Sequence, residues 1–137
     1  MEPITLEITI LKPISQVWEF FTEPTHITNW NFADDSWACP SAENDLRVGG
    51  QFNYRMEQRD GDFGFDFKGT YDEVIPEEKI SYHLEDNRKV QVTFEELDAS
   101  TTKVTEIFDP EESQPREMQR EGWYAILDRF HKYVENN

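Results

Sequence analysis

Three tyrosine hydroxyls and one carboxyl group are the candidates for chemistry inside the fold of this chain. Tyr54, Tyr71 and Tyr82 each lie in the apolar column of a segment that alternates apolar and polar residues. Glu106 follows Val104 by two positions and therefore shares its column. An inward carboxyl group has its pKa raised by desolvation, so it could act as an acid or a base, with the hydroxyls orienting a substrate.

The sequence leaves the direction of Glu106 open. If Thr105 and Ile107 form the inward column instead, Glu106 is a solvated surface group. Glu73 raises the same question at the end of its strand. A Glu106 pKa near 4.3 would indicate a solvated carboxylate, whereas a strongly raised pKa would favour an enzyme over a simple binding protein.

Other chemistries have no signal in the sequence. His26, His83 and His131 are scattered without metal-ligand spacing, so we expect no metal site. There is no catalytic-triad motif, no pair of cysteines and no phosphate-binding glycine loop, and we expect no cofactor. Cys39 is the single cysteine, and we expect a buried, inert thiol rather than a nucleophile.

Alternating segments predict the strands that would position these groups. Short connectors rich in Asp, Glu, Asn, Gly and Pro join several of them and predict antiparallel pairing. Gly49, Gly50 and Gly69 are interpreted as bends or β-bulges that curve the sheet. The predicted strands are Ile4–Ile10, Gly50–Met56, Phe63–Tyr71, Ile80–Leu84, Val90–Phe94 and the segment that contains Glu106.

Two helical regions complete the pattern. Pro13 is followed by apolar residues at helical spacing up to Phe21, and Pro24 ends this helix before one further short turn. A long amphipathic helix runs from about Pro115 to Val134 and can close the open face of the sheet. Gly122 in its interior costs about 1 kcal/mol relative to alanine, so either the helix approaches the sheet closely there or the glycine leaves volume for a ligand.

Composition limits the possible partners. Twenty-nine acidic residues against 13 basic ones give a net charge of −16, which disfavours nucleic acid and anionic membrane surfaces. The acidity is interpreted as a solvated surface that keeps the protein monomeric. The length predicts one domain over residues 1–137, with a loosely structured stretch only at Asn31–Arg47. The lone cysteine, the lack of a secretory signal and the absence of a long apolar run predict a cytoplasmic protein.

In this order of elements, the chain resembles the activator of heat shock protein 90 ATPase homologue family, a START-like (SRPBCC) branch with the helix-grip fold. No single motif is specific to this family, but several motifs in the right order and spacing are strong together. The residues that carry the resemblance are Val17–Phe21 with Trp30, Leu46–Phe52 (Leu-Arg-Val-Gly-Gly-Gln-Phe), Phe67–Glu77 (with Gly-Thr-Tyr-Asp-Glu-Val), Val92–Glu96, Thr102–Thr105 and Gly122-Trp123.

The resemblance implies an α+β fold in which a curved antiparallel sheet of about seven strands wraps on the C-terminal helix, with two short helices after the first strand. It also implies an apolar cavity between sheet and helix that takes small hydrophobic, lipid-like or aromatic molecules. The side chains expected around such a ligand are those that periodicity points inward: Trp18, Phe52, Tyr54, Phe65, Phe67, Tyr71, Tyr82, Phe94, Gly122, Trp123, Ile126 and Phe130.

Three functions remain open at this point. The first is binding of a small hydrophobic molecule without catalysis, because ligand pockets are mainly apolar with a few placed polar groups. The second is a cyclase- or hydrolase-type enzyme that uses the tyrosine hydroxyls with Glu106, since the wider superfamily includes enzymes of polyketide metabolism. The third is a chaperone-associated interaction module, which an exposed apolar patch without a cavity would favour.

Overall fold

The computed structural model describes residues 2–137 and has the predicted α+β architecture. Seven antiparallel strands form one curved sheet in the order β1-β7-β6-β5-β4-β3-β2, and the C-terminal helix lies against its inner face. The elements are β1 Ile4–Ile10, α1 Ile14–Thr22, α2 Pro24–Ile27, β2 Trp37–Asn44, β3 Gln51–Gln58, β4 Gly64–Ile75, β5 Lys79–Leu84, β6 Lys89–Asp98, β7 Thr101–Phe108 and α3 Arg116–Glu135.

Strand register decides which face each column occupies. β7 pairs with β1 on one side and β6 on the other, and Glu106 lies opposite Leu6 and Val92. These two neighbours are buried, and so are Val104 and Phe108 in the same column as Glu106. The alternative in which Thr105 and Ile107 form the inward column is therefore wrong.

Strand β2 corrects the expectation of a loose segment at Asn31–Arg47. It pairs with β3 at the edge of the sheet, with a register shift between Ala38 and Ser41. Its burial does not follow a clean alternation, which is why periodicity missed it. Pro40 lies at the irregularity, in the setting where a residue without an N–H donor is tolerated.

Gly69 does not mark a β-bulge, so that part of its prediction is wrong. Gly69 pairs in regular register with Phe52, and the register shift in β4 falls later, between Tyr71 and Glu73. A Cβ atom at Gly69 would lie 2.6 Å from Cζ of Phe52 and 3.1 Å from the carbonyl oxygen of His83. The glycine therefore makes room for the Phe52 ring, which crosses it to meet Tyr82 at 4.8 Å between ring centroids.

We therefore expect Gly69→Ala to lower the free energy of unfolding by about 1–3 kcal/mol, because the buried Phe52 ring must shift against its neighbours. Urea denaturation measures this change. Thr70→Ala on the same strand is the matched control, since it removes a partly exposed side chain. Equal stabilities of wild type and Gly69→Ala would show that the ring moves freely and that the close approach is unimportant.

The core fills the side of the sheet where α3 packs against β1 and α1 packs against α3. Phe130 of α3 is fully buried there, with Trp30 at 4.8 Å and Phe21 at 5.2 Å between ring centroids. Between α3 and strands β3 and β4, side chains leave an unfilled space. Within residues 2–137, no helix is both long and apolar enough to cross a bilayer.

Candidate functional site

A cavity of about 310 Å³ lies between the inner face of the sheet and α3. Aromatic rings from β3, β4 and β5 form one wall, and side chains of α3 form the opposite wall. Most of the inward-facing residues predicted from the sequence meet at this cavity. They are Phe52, Tyr54, Phe65, Phe67, Tyr71, Tyr82, Trp123 and Ile126, together with the carboxyl candidate Glu106.

Three predicted residues lie in the packed core instead of the cavity wall. Trp18 of α1 packs edge-on against Phe94 of β6 with 5.2 Å between ring centroids. Phe130 has no exposed surface and contacts the rings of Phe21 in α1 and Trp30 after α2. Periodicity identifies the inward face of an element correctly, but it does not separate residues over the cavity from residues over the core.

Gly122 is also absent from the cavity wall, and the predicted close approach to the sheet is wrong. A Cβ atom built at Gly122 would have no atom within 4 Å apart from the local helix backbone. The glycine lies beside Trp123, which stacks on Phe108 at 4.0 Å between ring centroids. Open space at this position removes the packing reason for glycine.

Because nothing would obstruct the new side chain, Gly122→Ala is expected to raise the free energy of unfolding by up to about 1 kcal/mol through helix propensity. Thermal or urea unfolding of the two proteins checks this. Ala125→Gly, three residues along the same helix, should lower the free energy of unfolding by a similar amount. A destabilised Gly122→Ala protein would mean that the helix packs more closely than the structure has it.

Several cavity residues were not predicted from the sequence. Met56 and Ile80 belong to predicted inward columns, so the same alternation could have identified them. Gln119 and Leu127 lie in α3, and Phe21 ends the predicted apolar spacing of α1, so helical spacing could have identified these three. The others come from the end of α1, loops and turns, where no periodicity applies. The additional lining residues are Phe21, Thr22, Trp30, Asn31, Met56, Ile80, Arg88, Glu111, Gln119 and Leu127.

Glu106 is a buried carboxyl group without a protein partner. Its residue is 8 % exposed, and within residues 2–137 its carboxyl oxygens take part in no hydrogen bond or salt bridge. Desolvation raises its pKa from 4.5 to about 8, with no neighbouring positive charge to oppose the change. At neutral pH the group is therefore mostly a neutral carboxylic acid that faces an apolar cavity.

The tyrosine hydroxyls differ in how they are held. The Tyr71 hydroxyl donates to Oδ1 of Asn44 at 2.5 Å, and Nδ2 of Asn44 donates to the carbonyl of Thr22 at 2.7 Å. Burial raises the pKa of Tyr71 to about 12. Burial also raises the pKa of Tyr54 and Tyr82, and for Tyr82 the charge of Glu106 adds to the effect. All three hydroxyls are therefore neutral hydrogen-bonding groups at neutral pH.

The loop between β7 and α3 lines one end of the cavity through Glu111. The Gln119 side chain accepts from the amide N–H of Glu111 at 2.6 Å and donates to the carbonyl oxygens of Glu111 and Gln114 at 2.8 and 3.0 Å. Arg88, which also lines the cavity, forms an ion pair with Asp86 at 2.7 Å. The helix thus fixes the loop at this end of the cavity.

The remaining ionisable candidates lie away from the cavity. Glu73 is half exposed and pairs with Lys79 at 2.8 Å. The three histidines have local partners: His26 contacts the Tyr133 hydroxyl, His83 pairs with Asp72, and His131 pairs with Glu135.

Cys39 is buried, as predicted, and burial raises the pKa of its thiol. Among residues 2–137, His, Cys, Asp and Glu side chains form no group of three or more arranged to hold a metal ion.

Comparison with known proteins places this architecture in a family. Residues 12–135 match the family described as Activator of Hsp90 ATPase homolog 1-like protein. An AHSA1-like protein from Aeromonas hydrophila, solved in solution, is 37% identical over 97% of this chain and 93% of its own, with a TM-score of 0.88. No curated protein matched the chain.

Two further solved structures extend the similarity. A protein from Cytophaga hutchinsonii is 46% identical over 98% of this chain and 92% of its own, with a TM-score of 0.84. A protein from Chromobacterium violaceum shares the fold at 22% identity, covering 98% of this chain and 99% of its own, with a TM-score of 0.87. The chain, with its curved sheet and C-terminal helix, therefore belongs to the Activator of Hsp90 ATPase homolog 1-like family of START-like proteins.

Proposed function

We propose that this protein binds a small hydrophobic, lipid-like or aromatic molecule in the cavity between the curved sheet and α3. The observation that carries the proposal is the cavity itself, which is walled by rings such as Phe52, Phe67 and Trp123 and has few polar groups. Its volume of about 310 Å³ lies at the lower end of the roughly 300–1,000 Å³ usual for ligand sites. An apolar body would fill it, and the hydroxyls with Glu106 would orient a polar end.

A neutral, polarity-sensitive naphthalene dye tests this proposal. We expect saturable binding with micromolar affinity, about −8 kcal/mol, and a change in tryptophan emission because Trp30 and Trp123 line the cavity. A linear, non-saturating signal would contradict a defined site, since it indicates partition onto the surface.

A blocking variant shows whether the dye occupies this cavity. Ile126→Trp adds volume to the α3 wall, so dye binding should weaken by at least about tenfold, which corresponds to 1.4 kcal/mol. Tyr124→Trp lies on the exposed side of the same helix and is the matched control. Dye emission monitors both variants, and equal affinity in Ile126→Trp and wild type would place the dye elsewhere.

Acid–base catalysis on a bound molecule is a second candidate, favoured by the pKa of about 8 for Glu106, which lines the same cavity as Tyr82. A carboxyl group with a pKa near the working pH can both donate and accept a proton. The test measures how fast the acidic C–H protons of a naphthyl 1,3-diketone are replaced by deuterium in D₂O. Glu106→Gln should abolish the protein-dependent exchange while dye binding persists, and equal exchange in both proteins would exclude this role.

A further inference from the structure

The charges around the cavity point to a more specific ligand than a neutral hydrocarbon. Resting on the proposed function, we propose that the ligand is an apolar amine whose ammonium group pairs with the Glu106 carboxylate while its hydrocarbon body fills the aromatic cavity. The argument starts from Glu106, which is more than nine-tenths buried, lines the cavity and has no hydrogen-bond partner within residues 2–137.

A buried carboxyl group without a partner carries a cost that a ligand can remove. Removing a charged or polar group from water without replacing its hydrogen bonds is unfavourable. The strands beside Glu106 offer no compensation, because its register partners Leu6 and Val92 are aliphatic. An ammonium group supplies both the opposite charge and the hydrogen-bond donors that a carboxylate accepts.

The other ionisable groups around the cavity favour a cation over an anion. β3, β4 and β5 present Tyr54, Tyr71 and Tyr82, whose raised pKa values keep them uncharged. The residues that α3 contributes do not titrate: Gln119, Trp123, Ile126 and Leu127.

Two charged residues complete the wall, both from the loops at one end. Arg88 comes from the turn before β6, and its Nε atom is paired with Asp86. Glu111 comes from the β7–α3 loop and adds another carboxylate. A ligand carboxylate would therefore meet two carboxyl groups, Glu106 and Glu111, and a single cation whose charge Asp86 already offsets.

Two broader features of the protein also favour a cationic ligand. The net charge of −16 raises the local concentration of cations at the surface. Aromatic faces such as those of Phe52, Tyr82 and Trp123 attract a desolvated cation. Both effects help offset the loss of water from the ammonium group when it enters the cavity.

Proton balance gives the proposal a distinctive signature. At pH 7 free Glu106 is mostly protonated, whereas the amine in solution already carries its extra proton. Formation of the ammonium–carboxylate pair therefore releases the Glu106 proton to water, and the ammonium keeps its own. Apparent amine affinity should rise about tenfold per pH unit below the Glu106 pKa of about 8 and level off above it.

The experiment compares 2-naphthylmethylamine, 2-naphthylmethanol and 2-naphthylacetic acid by calorimetry at pH 6, 7 and 8. Two buffers with different ionisation enthalpies at pH 7 count the protons released. We expect the amine to bind at least about tenfold more tightly than the alcohol at pH 8, with nearly one proton released at pH 7. The alcohol should release none, and the acid should bind most weakly.

Variants assign the effect to Glu106. Glu106→Gln should remove the preference for the amine and the proton release, while the alcohol still binds. Glu73→Gln changes a half-exposed carboxylate of the same sheet and should behave as wild type. If amine and alcohol bind equally in wild type without proton release, or if the acid binds best, the inference is overturned but the proposed function stands. If none of the three compounds saturates the protein, both are overturned.

Discussion

Replacing Glu106 with glutamine is expected to stabilise the protein by about 3 kcal/mol at pH 7. The folded-state pKa of Glu106 is raised from 4.5 to about 8 by burial, so the folded protein retains a proton that the unfolded chain releases. Below pH 4.5 the carboxyl group is neutral in both the folded and the unfolded chain, and the free energy of unfolding is at its highest. As the pH rises from 4.5 to about 8, only the unfolded chain loses the proton, so the free energy of unfolding falls. Above about pH 8 both states are ionised and the free energy of unfolding falls no further. Glutamine stays neutral at every pH and avoids this loss.

Urea denaturation of both proteins between pH 4 and pH 9 measures the effect. The two should be similar at pH 4, and their difference should widen up to about pH 8. Glu73→Gln is the control, because Glu73 is half exposed and paired with Lys79. Parallel stability curves for wild type and Glu106→Gln would show that Glu106 is solvated, which would also remove the basis for the amine and acid–base proposals.

Phe130→Ala is expected to lower the free energy of unfolding by about 3–5 kcal/mol, because it opens a void in the core between α1 and α3. Phe130 is fully buried, whereas Phe65 at the cavity is 42% exposed. Phe65→Ala should therefore cost about 1 kcal/mol or less. Phe65→Ala should weaken dye binding more than Phe130→Ala does, since only Phe65 lines the cavity.

Urea denaturation and dye titration of the two variants separate the core from the site. Under conditions where Phe130→Ala remains folded, it should bind the dye nearly as well as wild type. Two outcomes would contradict this separation: comparable stability losses in the two variants, or loss of dye binding only in Phe130→Ala. Either would mean that the cavity extends to Phe130.

Alternation of apolar and polar residues was enough to predict most of the strands, and helical spacing predicted α1 and α3. It could not orient β7, because one column of this strand contains Glu106 and the other contains Ile107. Only pairing with the buried columns of β1 and β6 decides between them. β2 escaped prediction because its pattern is irregular around Pro40.

The cavity could be predicted only in part. Residues on one inward face share a period, yet Phe67 lies over the cavity while Phe94 lies over the core. The difference arises from the curvature of the sheet and the position of α3, and neither is encoded in a local pattern. Arg88 and Glu111 come from connections between strands and helix, where neighbouring residues carry no periodic signal.

Mapping of amide chemical shifts during titration with 2-naphthylmethanol tests the central claim most directly. Binding in the cavity predicts saturable shifts with one shared dissociation constant at Tyr54, Phe67, Tyr82 and Trp123, and little change on the outer face of the sheet. Shifts that grow linearly with concentration, or that concentrate at exposed Phe63 and its neighbour Trp37, would show that the compound adheres to the surface. That result would contradict a ligand site between the sheet and α3.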